Sequence, residues 1–188
     1  MIYWPPTQPT LTAGSIRLRP VAESDADAIY RACQDPLIPH FTRVPSPYDR
    51  DMAVDFVRGC YFTYLDRVSL TFAIDYCGED GNQRARFAGT VGLHSLQQGD
   101  HMGEIGYWMD SAFRGRGLCT LAVRTLVGFA MGEMGFRRIE GLSDTSNLAS
   151  QKVMEGAGFT RDAVLKERAT RPDGSQIDMV LYSIVRES

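Results

Sequence analysis

Several features that define other classes of protein are missing from this sequence of 188 residues. It has no run of roughly 18 apolar residues that could span a membrane, and prolines at positions 5 and 6 interrupt its apolar start. Its four cysteines form no C-x-x-C pair and have no histidine at zinc-binding spacing. Like charges form no block, and the sequence pI is near 5.6. We therefore expect a soluble, cytoplasmic protein with reduced cysteines, no metal site, no membrane attachment and no nucleic acid as its partner.

The sequence does contain enough apolar residues for a sizeable core. They make up 44% of the chain, charged residues make up 23%, and the formal net charge is −3. This length falls within the roughly 100–200 residues that are usual for one domain. We expect a single domain over residues 1–188, in which the proline-rich residues 1–14 form an extended N-terminal segment.

The spacing of apolar residues divides the chain into strands and helices. Alternation predicts strands at residues 15–19, 70–76, 85–96, 102–109, 136–142, 159–167 and 177–186. A period of three to four predicts helices at residues 25–33, at 46–68, from 118 to Gly132 or Gly135, and at 147–156. Turn clusters at residues 78–82, 97–100 and 171–174 separate neighbouring strands. This order predicts an α/β sandwich with a mixed sheet.

Two details of this pattern bear on local structure. Ser24 and Ser46 precede predicted helices and are the expected N-caps. Three prolines in residues 34–45 predict an irregular loop whose apolar residues line a pocket.

The most informative stretch is Phe-Arg-Gly-Arg-Gly-Leu-Cys at residues 113–119, at the start of an amphipathic helix. Unpaired N–H groups and the helix dipole favour an anion there, and glycines let a phosphate approach the backbone. These features predict a phosphate or pyrophosphate site. The alternative is a glycine-rich turn that only bends the chain, with solvated arginines beside it. The turn lacks the lysine of a nucleotide triphosphate loop, and a dinucleotide loop would place its third glycine at Thr120.

Four short motifs together resemble those of the GNAT acetyltransferases, in particular the RimJ/RimL-like branch. Arg114-Gly-Arg-Gly-Leu-Cys119 is similar to the family's coenzyme A pyrophosphate loop, Arg-x-x-Gly-x-Gly/Ala. Glu-Ile-Gly-Tyr-Trp-Met at 104–109, Asn-Leu-Ala-Ser at 147–150 and Gly-Ala-Gly-Phe at 156–159 resemble the flanking motifs, and the similarity covers roughly residues 15–186. The resemblance implies a three-layer α/β/α GNAT-like fold with a mixed, mostly antiparallel, splayed central sheet. It also implies an acyl-CoA-dependent N-acyltransferase, for which a homodimer is a fair expectation.

The same resemblance implies which residues bind acetyl-CoA. The expected contacts come from the loop, the end of the strand before it and the later helix start: Trp108, Met109, Arg114, Gly115, Arg116, Gly117, Leu118, Cys119, Asn147 and Ser150. Ser150 would orient the sulfur or relay a proton to it, because its helix carries no tyrosine. Asn147 is also explained by helix capping alone. Cys119 is interpreted as a small packing residue and not a nucleophile, because a thiolate there would compete with the pyrophosphate.

Glu104 is the candidate general base, which would take a proton from the attacking amine directly or through a water. A carboxylate on the solvent side of a strand is the equal alternative. The acceptor amine, on a protein N-terminus or a small molecule, would contact residues 34–47, where Phe41 and His40 are candidates, and the turn at residues 168–176.

Other polar and aromatic residues have no expected catalytic role. The three histidines, His40, His94 and His101, have no pairing partner at useful sequence spacing and are interpreted as surface or satisfied residues. Tyr107 and Trp108 fit core aromatics better than reactive groups.

The resemblance therefore predicts direct transfer of an acetyl group from acetyl-CoA to a primary amine in a ternary complex. Two alternatives stay open. One is a non-catalytic module that binds or senses acyl-CoA. The other is a longer or charged donor such as succinyl-CoA. Arg43 or Arg86 would then pair with its second carboxylate.

Overall fold

The structure is a computed structural model that describes residues 2–79, 84–171 and 173–186. The strands are β1 (Leu11–Ala13), β2 (Ile16–Pro20), β3 (Leu70–Tyr76), β4 (Arg86–Gln97), β5 (Met102–Met109), β6 (Arg138–Asp144), β7 (Thr160–Thr170) and β8 (Gln176–Val185). The α-helices are α1 (Ala26–Ala32), α2 (Leu37–Phe41), α3 (Arg50–Leu65), α4 (Leu118–Phe129) and α5 (Leu148–Gly156).

All eight strands join one sheet in the order β1-β2-β3-β4-β5-β6-β8-β7. Every neighbouring pair is antiparallel except β5 and β6, which run parallel. A parallel pair requires a crossover connection, and α4 supplies it. The predicted mixed, mostly antiparallel sheet is confirmed.

Helices cover both faces of this sheet. On one face, Ala122 and Leu126 of α4 are buried against strand residues such as Ile74. On the other face, α1 and α3 share a second apolar cluster with Phe87 of β4 and Trp108 of β5. The expected three layers are therefore present, and each face of the sheet has its own core.

The elements with the strongest apolar period lie where the sequence predicts them. β3 and β5 have the predicted bounds, and α4 begins at Leu118 as predicted. After Phe129 the helix continues as a π-helical turn, Ala130–Met134, and ends at Gly135 with φ 83°. A glycine in the left-handed region is a common helix end, so the second of the two predicted stops is the one used.

The N-terminal segment contains a strand that the sequence did not predict. Residues Leu11–Ala13 pair antiparallel with β2 across Gly14, whose φ is 50°. A strand of three residues is too short to show a recognisable alternation, and its stability comes from pairing with β2.

The proline-rich segment is also more regular than predicted. Residues Leu37–Phe41 form the short helix α2 where an irregular loop was expected, so that expectation is wrong. Pro36 precedes the helix and Pro39 lies in its first turn. Backbone N–H groups of a first turn have no intrahelical acceptor, so a proline costs little there.

Both predicted serine N-caps are wrong, one because a nearby carboxylate takes the helix donor and the other because the serine lies inside a 3-10 turn. Asp49, not Ser46, caps α3 by accepting a hydrogen bond from Met52 N at 2.8 Å. Before α1, a 3-10 turn ends at Asp25, whose carboxylate accepts a backbone N–H at 2.9 Å, and Ser24 makes no cap.

A buried ionic cluster ties β2 to β3 and to the turn before α1. The Asp75 carboxylate is in a residue only 2% exposed and accepts hydrogen bonds from Arg17 and Arg19 at 2.7 and 2.9 Å. Arg19 also pairs with Asp25 at 2.7 Å. Hydrogen bonds to Asp25 and then Asp75 raise the pKa of the Arg19 guanidinium well above its ordinary value. Each buried charge therefore has a partner, which is the condition for keeping charges inside a fold.

Two predicted turns, at residues 78–82 and 171–174, include positions 80–82 and 172, which lie outside the described residues. Across the parts of the chain that are described, no helix has both the length and the apolar character to cross a bilayer.

Candidate active site

The sheet opens between β5 and β6. Their pairing in the described structure is limited to three positions, Met102 with Arg138, Gly103 with Ile139 and Glu104 with Glu140. Each strand then continues for several residues without pairing to the other, β5 to Met109 and β6 to Asp144. Backbone groups along this opening are available to a ligand, much as an exposed sheet edge is. The splayed sheet that the resemblance implies is confirmed.

The alternation of β5 shows which backbone groups face the opening. Asp110 N donates to Ala88 O of β4 at 2.9 Å. In an antiparallel pair, hydrogen bonding to one neighbour alternates along the strand. Trp108 therefore directs its N–H and C=O toward β4, whereas Tyr107 and Met109 direct theirs toward the opening. The Met109 carbonyl accepts from Arg114, so the Met109 N–H is the group that remains for a cofactor, and Trp108 stays a predicted contact.

A glycine turn follows β5 at the wide end of the opening. Gly115 and Gly117 have φ of 74° and 73°, and a Cβ on either would meet no atom within 4 Å. Glycine is required here by the backbone angle and not by lack of space. No side chain of the described structure caps the N-terminus of α4, so its first-turn N–H groups remain available to an anion. The turn therefore has the geometry expected of a pyrophosphate loop.

Arg114 acts within the protein. Its Nε and Nη2 atoms donate to Met109 O at 3.0 and 2.8 Å, and Nη1 pairs with Asp35 Oδ2 at 2.6 Å. The side chain thereby joins the end of β5 to the segment before α2. This geometry favours a positioning role for Arg114, which holds the loop that it precedes.

Arg116 lies over two aromatic rings beside the glycine turn. Its guanidinium carbon is 5.9 Å from the Phe113 ring centroid and 5.8 Å from that of Tyr76. Arg86 of β4 lies over the same rings, at 5.0 and 5.7 Å. Arg86 is eight residues, roughly 25 Å, along β4 from the strand partner of Glu104. It is therefore too distant to pair with an acyl carboxylate held near Glu104.

Tyr107 bridges the opening. Its hydroxyl oxygen lies 3.0 Å from Ser150 Oγ and donates to Ser150 O at 3.2 Å. Because Ser150 belongs to α5, which follows β6 in the chain, this contact links β5 to the helix on the β6 side of the opening. Burial raises the pKa of the Tyr107 phenol above its ordinary 10, so the group stays protonated. The interpretation of Tyr107 as a core aromatic missed this hydroxyl, since its partner is 43 residues away in sequence.

Asn147 has the capping role that its position predicts. Its Oδ1 accepts a hydrogen bond from Ser150 N at 3.1 Å, at the first turn of α5. The cap fixes the backbone of the residue whose hydroxyl meets Tyr107.

Glu104 lies where β5 and β6 part, and it has a partner that the sequence did not show. Its Oε1 is 4.0 Å from His94 Nε2, and the Glu104 side chain is 26% exposed. His94 pairs with Glu104 in the register between β4 and β5, and its Nδ1 lies 3.0 Å from Ser95 Oγ. His94 is partly exposed and lies near Glu104, which agrees with its interpretation as a surface or satisfied residue. A break in the regular register follows His94, and alternation alone does not locate such a break.

The predicted acceptor contacts lie at the end of α2. The rings of His40 and Phe41 meet edge to face, with centroids 4.5 Å apart. Ile38 of the same helix belongs to the apolar cluster that includes Trp108. Residues 34–47 are thus anchored near the end of β5 by Ile38 and by the ion pair of Asp35 with Arg114. His40 and Phe41 stay predicted acceptor contacts.

Cys119 has the properties of a packing residue. Burial raises the pKa of its thiol to about 12, so the reactive thiolate is scarce at neutral pH. This agrees with its interpretation as a small residue of the loop. Among residues 2–79, 84–171 and 173–186, no three His, Cys, Asp or Glu side chains are grouped to hold a metal ion.

Comparisons with known proteins identify the class that this fold and site define. The acetyltransferase (GNAT) domain family matches residues 15–160, and the chain belongs to this family. A relative in sequence is the uncharacterized N-acetyltransferase YoaA of Bacillus subtilis (strain 168). It is 22% identical over 178 residues, which cover 95% of this chain and 97% of YoaA.

Solved structures share the whole fold. RimL, a ribosomal L7/L12 alpha-N-protein acetyltransferase solved with coenzyme A, gives a TM-score of 0.81 at 19% identity, covering 94% of this chain and 98% of RimL. The microcin C7 self immunity acetyltransferase MccE, solved with acetyl-CoA and AMP, gives 0.79 at 22% identity, covering 93% and 94%. At these identities the matches establish a common fold.

Proposed function

We propose that this GNAT protein transfers an acetyl group from acetyl-CoA to a primary amine by direct attack in a ternary complex. The observation that carries the proposal is the order of groups along β5. The Glu104 carboxylate lies where the strands part, the Tyr107 hydroxyl bridges the opening three residues later, and the glycine turn follows the strand end. A long thioester carrier laid in the opening would reach all three.

The residues present fit coenzyme A. First-turn N–H groups of α4 and the open glycine turn suit its diphosphate. The free edge of β5 suits the amide groups of its arm, which would pair with backbone as an added strand does. The coenzyme supplies an activated thioester, and MccE and RimL bind acetyl-CoA and coenzyme A on the same fold.

Glu104 is proposed to take the proton of the attacking amine. Its carboxylate is partly exposed, so an amine or an intervening water can reach it. General base catalysis of this kind contributes about 10²–10⁴-fold. His94, 4.0 Å from the carboxylate, is placed to receive a proton from it or to hold its orientation.

Tyr107 and Ser150 are proposed to act on the thioester sulfur as it leaves. A thiol has an ordinary pKa of about 8.5, lower than that of the Tyr107 phenol, so full proton transfer from Tyr107 would be uphill. The phenol is better suited to donate a hydrogen bond to the charge that develops on sulfur. Ser150 Oγ, in contact with Tyr107, would relay a proton from solvent.

A non-catalytic acyl-CoA module and a charged donor are the competing functions. A module that only binds would not require a carboxylate and a hydroxyl pair beside the thioester. Arg86 is too far from Glu104 to select a charged acyl group, which leaves Arg43 as the arginine of that hypothesis. Both competitors are outcomes of the same experiment.

The test measures thiol release with a panel of amines and with acetyl-CoA or succinyl-CoA as donor. We expect acetyl-CoA to be used and Glu104→Gln to lower kcat by about 100-fold with unchanged coenzyme A affinity. The matched control is Glu140→Gln, because Glu140 is the strand partner of Glu104 but is already paired with Arg138 at 2.7 Å. Its kcat should change little.

Two results would contradict the proposal. Heat protection by coenzyme A without thiol release for any amine would identify a binding module. Faster release with succinyl-CoA than with acetyl-CoA would assign a different donor.

A further inference from the structure

Two arginines from different elements share one aromatic platform next to the glycine turn. Their guanidinium carbons lie 5.0 Å (Arg86) and 5.9 Å (Arg116) from the Phe113 ring centroid, so they are at most 10.9 Å apart. Phe113 and Tyr76 are both buried, and their centroids are 5.8 Å apart. The rings limit where each long side chain can lie, which reduces the entropy lost when an anion binds.

Neither guanidinium is neutralised by a carboxylate in the described structure. The ion pairs among the described residues all involve other cations. The Glu79 carboxylate accepts a hydrogen bond from the Tyr76 hydroxyl at 2.9 Å. By contrast, Arg17, Arg19, Arg114, Arg138 and Arg171 all pair with aspartate or glutamate. Two cations on one aromatic platform that pair with no carboxylate of the described residues suit a ligand that brings its own negative charge.

The position of the pair indicates which anion. The amides of the glycine turn already suit a diphosphate, and the opening between β5 and β6 lies on one side of that turn. Arg86 belongs to β4, which pairs with the edge of β5 opposite the opening. In coenzyme A the arm and the nucleotide leave the diphosphate in opposite directions, and the ribose of the nucleotide carries a further phosphate. A carrier with its arm in the opening would direct that ribose phosphate toward the platform.

We infer that Arg86 and Arg116 form a binding site for the ribose 3′-phosphate of coenzyme A, with Tyr76 and Phe113 as its base. The inference rests on the proposed function and deepens it. It makes the protein selective for the phosphorylated nucleotide over the same carrier without that phosphate.

Calorimetry with coenzyme A and with 3′-dephospho-coenzyme A tests the inference. The readout is the ratio of the two dissociation constants. A general loss of positive charge weakens both ligands through their common diphosphate and largely cancels in this ratio, whereas loss of a contact to the 3′-phosphate does not. We expect the wild-type protein to bind coenzyme A about tenfold more tightly than the dephosphorylated form. In the Arg86→Gln/Arg116→Gln double variant this ratio should fall to about one, mainly through weaker binding of coenzyme A.

The matched control is the double variant Arg58→Gln/Arg67→Gln. Both are exposed arginines, Arg58 in α3 and Arg67 just after it, so the variant makes the same change of two charges in another layer. It should keep the wild-type ratio. All variants alter exposed side chains, and thermal unfolding of the free proteins checks that they are folded.

The outcomes separate this inference from the proposed function. If the wild-type protein binds both ligands tightly and their dissociation constants are nearly equal, the inference is wrong. The acetyltransferase proposal is unaffected by that result. A ratio unchanged in the double variant also removes it, because the phosphate would then be held elsewhere. If neither ligand binds the wild-type protein, both proposals fail.

Discussion

The contact between Tyr107 and Ser150 gives the sharpest test of the site. Tyr107→Phe removes only the hydroxyl that lies 3.0 Å from Ser150 Oγ and 3.2 Å from Ser150 O. A hydrogen bond to a charged group is worth about 1.5–3 kcal/mol, which converts to about 10–150-fold in rate. If the phenol donates to the developing thiolate, kcat should fall by a factor in that range. The KM for acetyl-CoA should change little, because the bond forms only as charge develops.

The control is Tyr182→Phe. The Tyr182 hydroxyl donates to Glu155 Oε1 at 3.0 Å, so this variant also loses one hydrogen bond between the sheet and α5. Both variants should lose about 1 kcal/mol of unfolding free energy. Only Tyr107→Phe should lose activity, which separates a role at the sulfur from a role in holding α5.

A double-mutant cycle completes the test. Ser150→Ala alone, Tyr107→Phe alone and the pair are compared by steady-state thiol release. Because the two hydroxyls contact each other, we expect the double variant to be no slower than the worse single variant. Additive losses, or a kcat for Tyr107→Phe within twofold of wild type, would refute the proposed joint role.

Three further predictions concern the fold and the loop. Asp75→Asn should lower the unfolding free energy by about 2–3 kcal/mol in urea titrations, because it removes the buried carboxylate to which Arg17 and Arg19 both donate and leaves Arg19 with Asp25 alone. The exposed Asp27→Asn should cost less than about 1 kcal/mol, and equal losses would contradict the cluster's role. Gly117→Ala should lower the unfolding free energy by about 1–2 kcal/mol and weaken coenzyme A binding, because the φ of this residue is 73°. The control Gly128→Ala in α4 should leave stability unchanged or raise it, and calorimetry measures both effects. Iodoacetamide at pH 8 should label Cys119 slowly in the native protein, since a pKa of about 12 leaves about one thiolate in 10⁴; peptide mass spectrometry should show rapid labelling only after denaturation.

The elements that the sequence predicted well are those whose pattern is local. β5 has its predicted bounds because alternation over eight residues fixes both its ends and its faces. Asn147 caps α5 as predicted, since a cap depends only on residues within one turn. The glycine turn was also recognisable, because left-handed backbone angles select glycine wherever they occur.

Two kinds of wrong prediction have physical causes. A short strand can depend on a partner strand, and a predicted N-cap can lose its backbone donor to a stronger acceptor nearby. β1 forms only because β2 lies beside it, and three residues carry no pattern of their own. Ser46 lost the cap of α3 to Asp49, whose carboxylate is the stronger acceptor and lies directly before the helix.

The chain's residues alone were enough to indicate a mixed α/β sheet and a loop suited to phosphate, because periods, caps and glycine angles are properties of short segments. The family of acyltransferases came from the resemblance of four short motifs, which are also local. The partners of the reactive groups came from the folded chain. His94 meets Glu104 through the strand register, Tyr107 meets Ser150 across the opening, and Arg114 turns to Asp35. Such contacts depend on how strands align and separate, and that is set by the packing of the whole sheet.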